Sequence, residues 1–304
     1  MTRNEGENPH ALASAPVIVG IDDSEAAQHA VRWAAETACA RGRELLIVHG
    51  TNLKTIQGLL GSYAAVEPEV TQSVQGFGEE LVAAAARAAR EVDPELRVRT
   101  EVSSAHPARL LIDSSAEAHL LVLGGPDERR GFNKLGSILI AVSSGSRGAV
   151  VVVRDGEREA PRTGPVVVGV DGSPTSEAAI EAAFAEASQR VAPLVAVHTW
   201  SDQYLSQFSG LVDTSIEADQ LAVAEQSLLV ERLAGWQEKY PDVVVTREVY
   251  LSSPADHLQT WSESAQLLVV GSRGRGGFTG MLLGSTSNAL VQRAHCPVMV
   301  VHPD

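Results

Sequence analysis

The residues best suited to chemistry lie between Leu267 and Ser287. A run of large apolar residues, Leu267-Leu-Val-Val270, breaks into Gly271-Ser-Arg-Gly274-Arg-Gly-Gly277 and closes on Gly284-Ser-Thr-Ser287. The apolar run predicts a buried parallel strand, and Asn288–Arg293 has helical composition. The first turn of a helix carries N–H groups with no internal partner and the positive end of the helix dipole. Gly271, Gly274, Gly276, Gly277 and Gly284 let the main chain approach an anion closely. Ser272, Ser285, Thr286 and Ser287 add hydroxyls, while Arg273 and Arg275 add charge that forks onto phosphate oxygens. The chemistry is therefore anion binding, with phosphate the best match. It is not a Walker A loop, because no lysine precedes Ser285, and not the dinucleotide G-x-G-x-x-G turn, which follows the first strand of its unit. From Gly271 to Ser287 there is no Asp, Glu, His or Lys. A phosphoryl-transfer site needs a base and usually an acid to hold Mg²⁺, so this loop predicts binding without turnover.

The elements that must position this loop are written twice. Val17-Ile-Val-Gly20-Ile-Asp22 recurs as Val167-Val-Gly169-Val-Asp171, and His49 recurs as His198, each pair 149 residues apart. Leu120-Leu-Val-Leu-Gly124 recurs as Leu267-Leu-Val-Val-Gly271, Pro107 as Pro254, and Gly136-Ser137 as Gly284-Ser285. The chain is a tandem duplication. Strands are expected near 17–21, 45–49, 97–102, 120–124 and 149–153, then near 166–170, 194–199, 243–250, 267–271 and 297–301. Helices are expected near 24–41, 70–92, 107–117 and 136–145, then near 176–190, 214–240, 254–264 and 285–293. Ser24 is placed to cap the first helix, whose Ala27, Ala30, Val31, Ala34 and Ala38 share one face. Such alternation predicts an α/β fold, a parallel sheet covered by helices on both faces in each copy. The domains are expected at 16–154 and 166–304, with a disordered tail over 1–15 and a charged, breaker-rich linker over 155–165. The last strand of each copy is apolar on both faces, so pseudo-twofold pairing of the two copies, or a homodimer, is expected to cover these edges.

Composition narrows the classes further. The 304 residues carry a formal charge of −14, which argues against a broad nucleic-acid face. No apolar run approaches the roughly 20 residues that span a bilayer, and the first 15 lack a signal-peptide core. Cys39 and Cys296 form no metal or C-x-x-C spacing and are expected to be buried free thiols in the cytoplasm. His295-Cys296 is poorly placed as a catalytic pair, because adjacent residues entering a strand face opposite ways. His49 and His198, at strand ends, are expected to be packed or hydrogen-bonded.

The early V-G-V-D together with Gly271-x2-Gly274-x9-Gly284-Ser285 resembles the universal stress protein pattern, and the duplication resembles its tandem-domain members. The resemblance covers both copies. It implies two Rossmann-like domains of the adenine nucleotide alpha hydrolase type, each with five parallel strands, binding ATP, with or without Mg²⁺, beyond the strand ends. It further implies a role in stress response, dormancy or growth control through an unidentified regulatory partner, with hydrolysis slow or absent. The alternatives are a slow ATPase or phosphotransferase, or a nucleotide-free dimerising scaffold. Carried over by position, Asp171 would bond the ribose or adenine edge, with room left by Gly169. Backbone near Val197 would meet adenine. Gly271, Arg273, Gly274, Gly276 and Gly277 would wrap the phosphates, and Gly284 to Ser287 would donate to them. An Asp in the place of Asp171 also suits a turn or helix cap. The first copy keeps Gly20, Asp22, Gly124, Gly136 and Ser137 but replaces the middle glycine with Asp127 or Glu128. Its loop is one residue shorter, and it loses two hydroxyls to Ile138 and Leu139. A carboxylate about 4 Å from a phosphate charge costs on the order of 4 kcal/mol, which Arg129, Arg130 and Lys134 could offset in part. Weak or absent ATP binding is expected there.

Overall fold

The computed structural model describes residues 14–60, 67–125, 136–154, 163–200, 218–274 and 283–303. The chain divides between Asp155 and Gly156 into two compact units. Residues 1–13 of the tail expected over 1–15, and most of the expected linker, lie outside the described residues, while Ala15 is buried against the first unit.

The first unit runs β1 (Val17–Gly20), α1 (Glu25–Ala40), β2 (Leu45–Gly50), α2 (Leu53–Leu60), α3 (Glu67–Val92), β3 (Val98–Ser103), α4 (Pro107–Ser115), β4 (Leu120–Gly124), α5 (Ser137–Gly145) and β5 (Ala149–Val153). Its strands lie in the order β3-β2-β1-β4-β5. The neighbours are parallel, with Val17 opposite both Leu45 and Leu120. β1 is buried along its whole length, as a strand covered on both faces must be. β3 instead has no buried residue, being exposed over 99–101 and half-buried elsewhere, and carries Arg99 and Glu101, charges that blunt a sheet edge. The expected face of α1 is buried at Ala27, Ala30, Val31, Ala34 and Ala38, and Ser24 Oγ caps it by accepting from Ala27 N at 3.1 Å.

The second unit repeats this plan as β6 (Val166–Val170), α6 (Pro174–Arg190), β7 (Leu194–Trp200), α7 (Ala218–Lys239), β8 (Val245–Leu251), α8 (Pro254–Trp261), β9 (Leu267–Gly271), α9 (Ser285–Arg293) and β10 (Val298–Val301). The order is β10-β9-β6-β7-β8, again with parallel neighbours. Phe184 of α6 is fully buried and stacks on Trp236 and Tyr240 of α7, ring centroids 6.4 and 5.9 Å apart. Such pairs add to the burial of their large apolar area.

In each unit the chain leaves the first strand and the fourth for opposite sides. The carboxyl ends of these two strands are therefore the switch point, the place where open α/β sheets bind ligands. The helix after the first strand leans onto the end of the fourth, and only glycine permits the approach. A Cβ on Gly124 would lie 2.7 Å from the Ala26 carbonyl carbon, and one on Gly271 would lie 2.9 Å from the Thr175 carbonyl oxygen. The repeated glycine at the strand end is thus a packing requirement as well as part of a loop.

Candidate functional site

In the second unit the turn after β6 is organised by Asp171. Its Oδ1 accepts from Ser173 N at 2.9 Å, and its own N–H donates to Ser176 Oγ at 3.1 Å. Gly172 takes φ +74° between them. Ser173, not Asp171, caps α6, accepting from Ser176 N at 3.2 Å. One carboxylate oxygen of Asp171 therefore shapes the turn, the role that Asp often takes before a helix. The other, Oδ2, faces the glycine loop so closely that a Cβ on Gly274 would overlap it. The loop is fastened at several further points. Thr175 Oγ1 donates to the Arg273 carbonyl, Ser272 N donates to Val301 O at 2.8 Å, and Gly284 N donates to Ser272 O at 2.8 Å.

Gly284 is the N-cap residue of α9 and, as glycine, makes no side-chain cap on its first turn. The uncapped N–H groups are those a helix start presents to an anion. Ser285 is exposed and Thr286 half-buried. Ser287 is buried, and its hydroxyl donates to Gly271 O at 2.6 Å. That hydroxyl proton is already used, so what Ser287 has left to offer an anion is its backbone N–H. Arg273 and Gly274 are exposed at the loop's edge. Arg275, Gly276 and Gly277 lie outside the described residues.

Gly169 and Val197 lie opposite each other in the β6–β7 ladder. Val197 is buried in mid-strand, three residues short of the end of β7, and a Cβ on Gly169 would approach Leu258 Cδ1 at 3.0 Å. His198 is buried; its Nδ1–H donates to Val170 O at 2.7 Å, and Nε2 lies 3.0 Å from Glu225 Oε2 of α7. His49 donates in the same way to Ile21 O at 2.9 Å. Both histidines thus fasten the second strand to the carbonyl that ends the first. Glu225 and Thr175 were not singled out from the sequence. For Glu225 the repeat held a signal, since Gly78 stands in its place in the first unit, where a Cβ would come within 3.1 Å of His49 Cδ2.

The first unit keeps the same turn. Asp22 Oδ1 accepts from Ser24 N at 3.1 Å and from Ser24 Oγ at 2.5 Å. Beside it opens a cleft of about 410 Å³ bordered by Gly20, Asp22, Gly124, Gly136 and Ser137, the five positions retained from the repeat. This is within the size range of small-molecule sites. The loop over 126–135, with Asp127 and Glu128, lies outside the described residues.

The cysteines fall differently from expectation in one case. Cys296 is buried, and burial pushes its thiol up to about 12. Cys39 is only half-buried, since it lies at the margin of the α1 core face beside Asp93; desolvation and that carboxylate raise it. His295 is exposed where Cys296 is buried, which separates the pair. Among the described residues no three His, Cys, Asp or Glu side chains cluster as metal ligands, and no helix is long and apolar enough to cross a membrane.

The universal stress protein family model matches residues 15–154 and again 163–302, together most of the chain. The chain belongs to the universal stress protein family. As a tandem universal stress protein it is 40% identical over 294 residues to universal stress protein Rv2623 of Mycobacterium tuberculosis, covering 95% of this chain and 96% of that one. A universal stress protein of Mycolicibacterium smegmatis is 39% identical over 293 residues, covering 94% and 97%. Among solved structures, a universal stress protein from Archaeoglobus fulgidus shares the fold with a TM-score of 0.67 at 18% identity, covering 96% of this chain and 98% of that one.

Proposed function

We propose that the chain is an ATP-binding regulator of stress response, dormancy or growth that holds nucleotide in its second unit and turns it over slowly or not at all. The observation that carries this reading is the meeting of Asp171 Oδ2 with the backbone of Gly274, beside the uncapped start of α9. A carboxylate acceptor for ribose or adenine and a set of phosphate donors then share one crevice. The base would lie toward Gly169 and the backbone near Val197. The phosphates would lie on the N–H groups of Ser285, Thr286 and Ser287, on the loop from Gly271 to Gly277, and on the guanidinium groups of Arg273 and Arg275. Mg²⁺, where it accompanies the nucleotide, would be carried by the phosphates, as the loop offers no carboxylate of its own. With no base or water-positioning group between Gly271 and Ser287, the bound state is the signal, read by a protein partner or a second copy of the chain in the cytoplasm. The first unit, in this reading, contributes little to ATP binding.

Calorimetric titration of the full chain with ATP tests the proposal. Asp171→Ala and Gly274→Ala are each expected to weaken binding at least tenfold with unchanged circular dichroism, the second because its methyl group displaces the carboxylate. Parental affinity in both variants would refute the site. Enzyme-dependent phosphate release that disappears with Gly274→Ala would move the function to a slow ATPase. Sedimentation with and without ATP checks the homodimer.

A further inference from the structure

The peptide that leads from β6 into Asp171 is held at both ends. Its carbonyl, on Val170, accepts from His198 Nδ1 at 2.7 Å, and its N–H, on Asp171, donates to Ser176 Oγ at 3.1 Å. The far side of the same imidazole meets α7, where Glu225 Oε2 lies 3.0 Å from Nε2. The contact is largely shielded from water, the two side chains being 8% and 25% exposed. A carbonyl oxygen only accepts, so Nδ1 carries a hydrogen. An ionised carboxylate also only accepts, so a bare Nε2 would set one lone pair against another at 3.0 Å. The contact is bonding only when a second proton lies between Nε2 and Oε2, and the charge then strengthens it. Among the described residues, the other charged groups around the imidazole are Asp171 in the turn and Arg232 of α7, and Arg232 pairs with Glu177 of α6 at 2.6 Å. β8 sets the uncharged Val249 opposite His198.

The first unit keeps only part of this arrangement. His49 donates to Ile21 O at 2.9 Å, but Gly78 of α3 stands in the place of Glu225 and brings no carboxylate to the ring. The pin between the first two strands is thus common to both copies. The carboxylate behind it belongs to the second copy, the one read as holding ATP. We infer that Glu225 is a positioning residue for the second crevice: it keeps a proton on His198 and through it clamps α7 onto the peptide that aims Asp171. Loss of the shared proton as pH rises sets two acceptors against each other and frees that peptide, so ATP binding weakens toward alkaline pH. The link to ATP rests on the reading of that crevice given above; the shared proton rests on the geometry alone.

The test compares the full chain with its Glu225→Gln and Glu225→Ala variants. Glutamine donates an amide hydrogen to a bare Nε2 and so keeps the contact without the proton, whereas alanine removes the contact. Nitrogen-15 NMR of the histidine side chains, with His198→Gln assigning the signal, is expected at neutral pH to show hydrogen on both ring nitrogens of His198 in the parent and on Nδ1 alone in Glu225→Gln. Calorimetric titration with ATP at pH 6 and pH 9 is expected to lose affinity with rising pH at least threefold more in the parent than in Glu225→Gln, a ratio that cancels the ionisation of ATP itself. At pH 6, Glu225→Ala is expected to bind ATP at least fivefold more weakly than the parent, and Glu225→Gln within twofold of it. A pH profile that Glu225→Gln shares with the parent, or a parent His198 with hydrogen on Nδ1 alone, overturns the inference. If no form binds ATP while the NMR result holds, the nucleotide reading falls and the proton-held clamp on the Asp171 peptide stands.

Discussion

At the scale of single residues, environment divides roles that the sequence writes alike. Two neighbouring residues, His295 and Cys296, form a tempting nucleophilic pair on paper. One is exposed and the other buried, and a thiol held up near 12 carries almost no thiolate at neutral pH. Iodoacetamide at pH 8 is therefore expected to leave Cys296 unmodified in the native chain and to label both cysteines after denaturation. Peptide mass mapping reads the result, and labelling of native Cys296 within minutes would contradict it. Asp171 shows the same division within one side chain, where Oδ1 builds the turn and Oδ2 lies against the backbone of Gly274. The hydroxyl of Ser287 went the other way: expected to face a phosphate, it is used internally by the Gly271 carbonyl.

At the scale of elements, the duplication is an internal control. Gly42 and Val191 follow α1 and α6 at equivalent places, with φ +59° and +52°, and in each case the next N–H returns to the helix. Ala38 accepts from Arg43 N, and Ala187 accepts from Ala192 N, both at 2.9 Å. Glycine suits this left-handed position, whereas a β-branched residue there pays a steric penalty of roughly 1–2 kcal/mol. Val191 is 93% exposed, so its side chain returns little burial in exchange. Val191→Gly is expected to raise the stability of the second unit by about 1 kcal/mol after allowance for glycine's unfolded-state entropy. A urea titration checks this, and an unchanged or lower midpoint would count against it. The strands and most helices were legible because their apolar runs are long and repeat. α2 was not foreseen: its eight residues are too few for a clear period, and Gly58 lowers their helix propensity.

At the scale of the molecule, the candidate site is tied to the end of β10 by the Ser272 N–H on Val301 O, and His302 follows beside Arg273. Its Nε2 is buried with no hydrogen-bond partner among the described residues, and burial, aided by the Arg273 charge, lowers its affinity for a proton below the ordinary value of 6.5. A depressed folded value means that the unfolded chain binds more protons between the two values. Stability from this group is therefore fully present above pH 6.5 and is lost as pH falls through the lower folded value. Denaturation midpoints from pH 7.5 to 5 are expected to drop less steeply in His302→Gln than in the parent. Equal slopes would remove His302 from the account. An anion on Arg273 would offset its charge, so the same comparison with ATP present is expected to show a shallower decline in the parent.

The sequence by itself determined the repeat, the alternation of strand and helix, and the glycine spacing of the loop after β9. All three are local or periodic properties: apolar runs that need cover on two faces, and backbone that must come close to something. Only the tertiary structure decided which partners each group meets, because those partners are distant in the chain. It brought Asp171 against Gly274, used the Ser287 hydroxyl on Gly271, fastened His198 to Glu225, and left a cleft beside Asp22 walled by Ile138 and Leu139. Substitution of two hydroxyl residues by apolar ones reads in sequence as a lost phosphate site; in three dimensions it makes an apolar wall, because the glycine-edged crevice beneath it stays open.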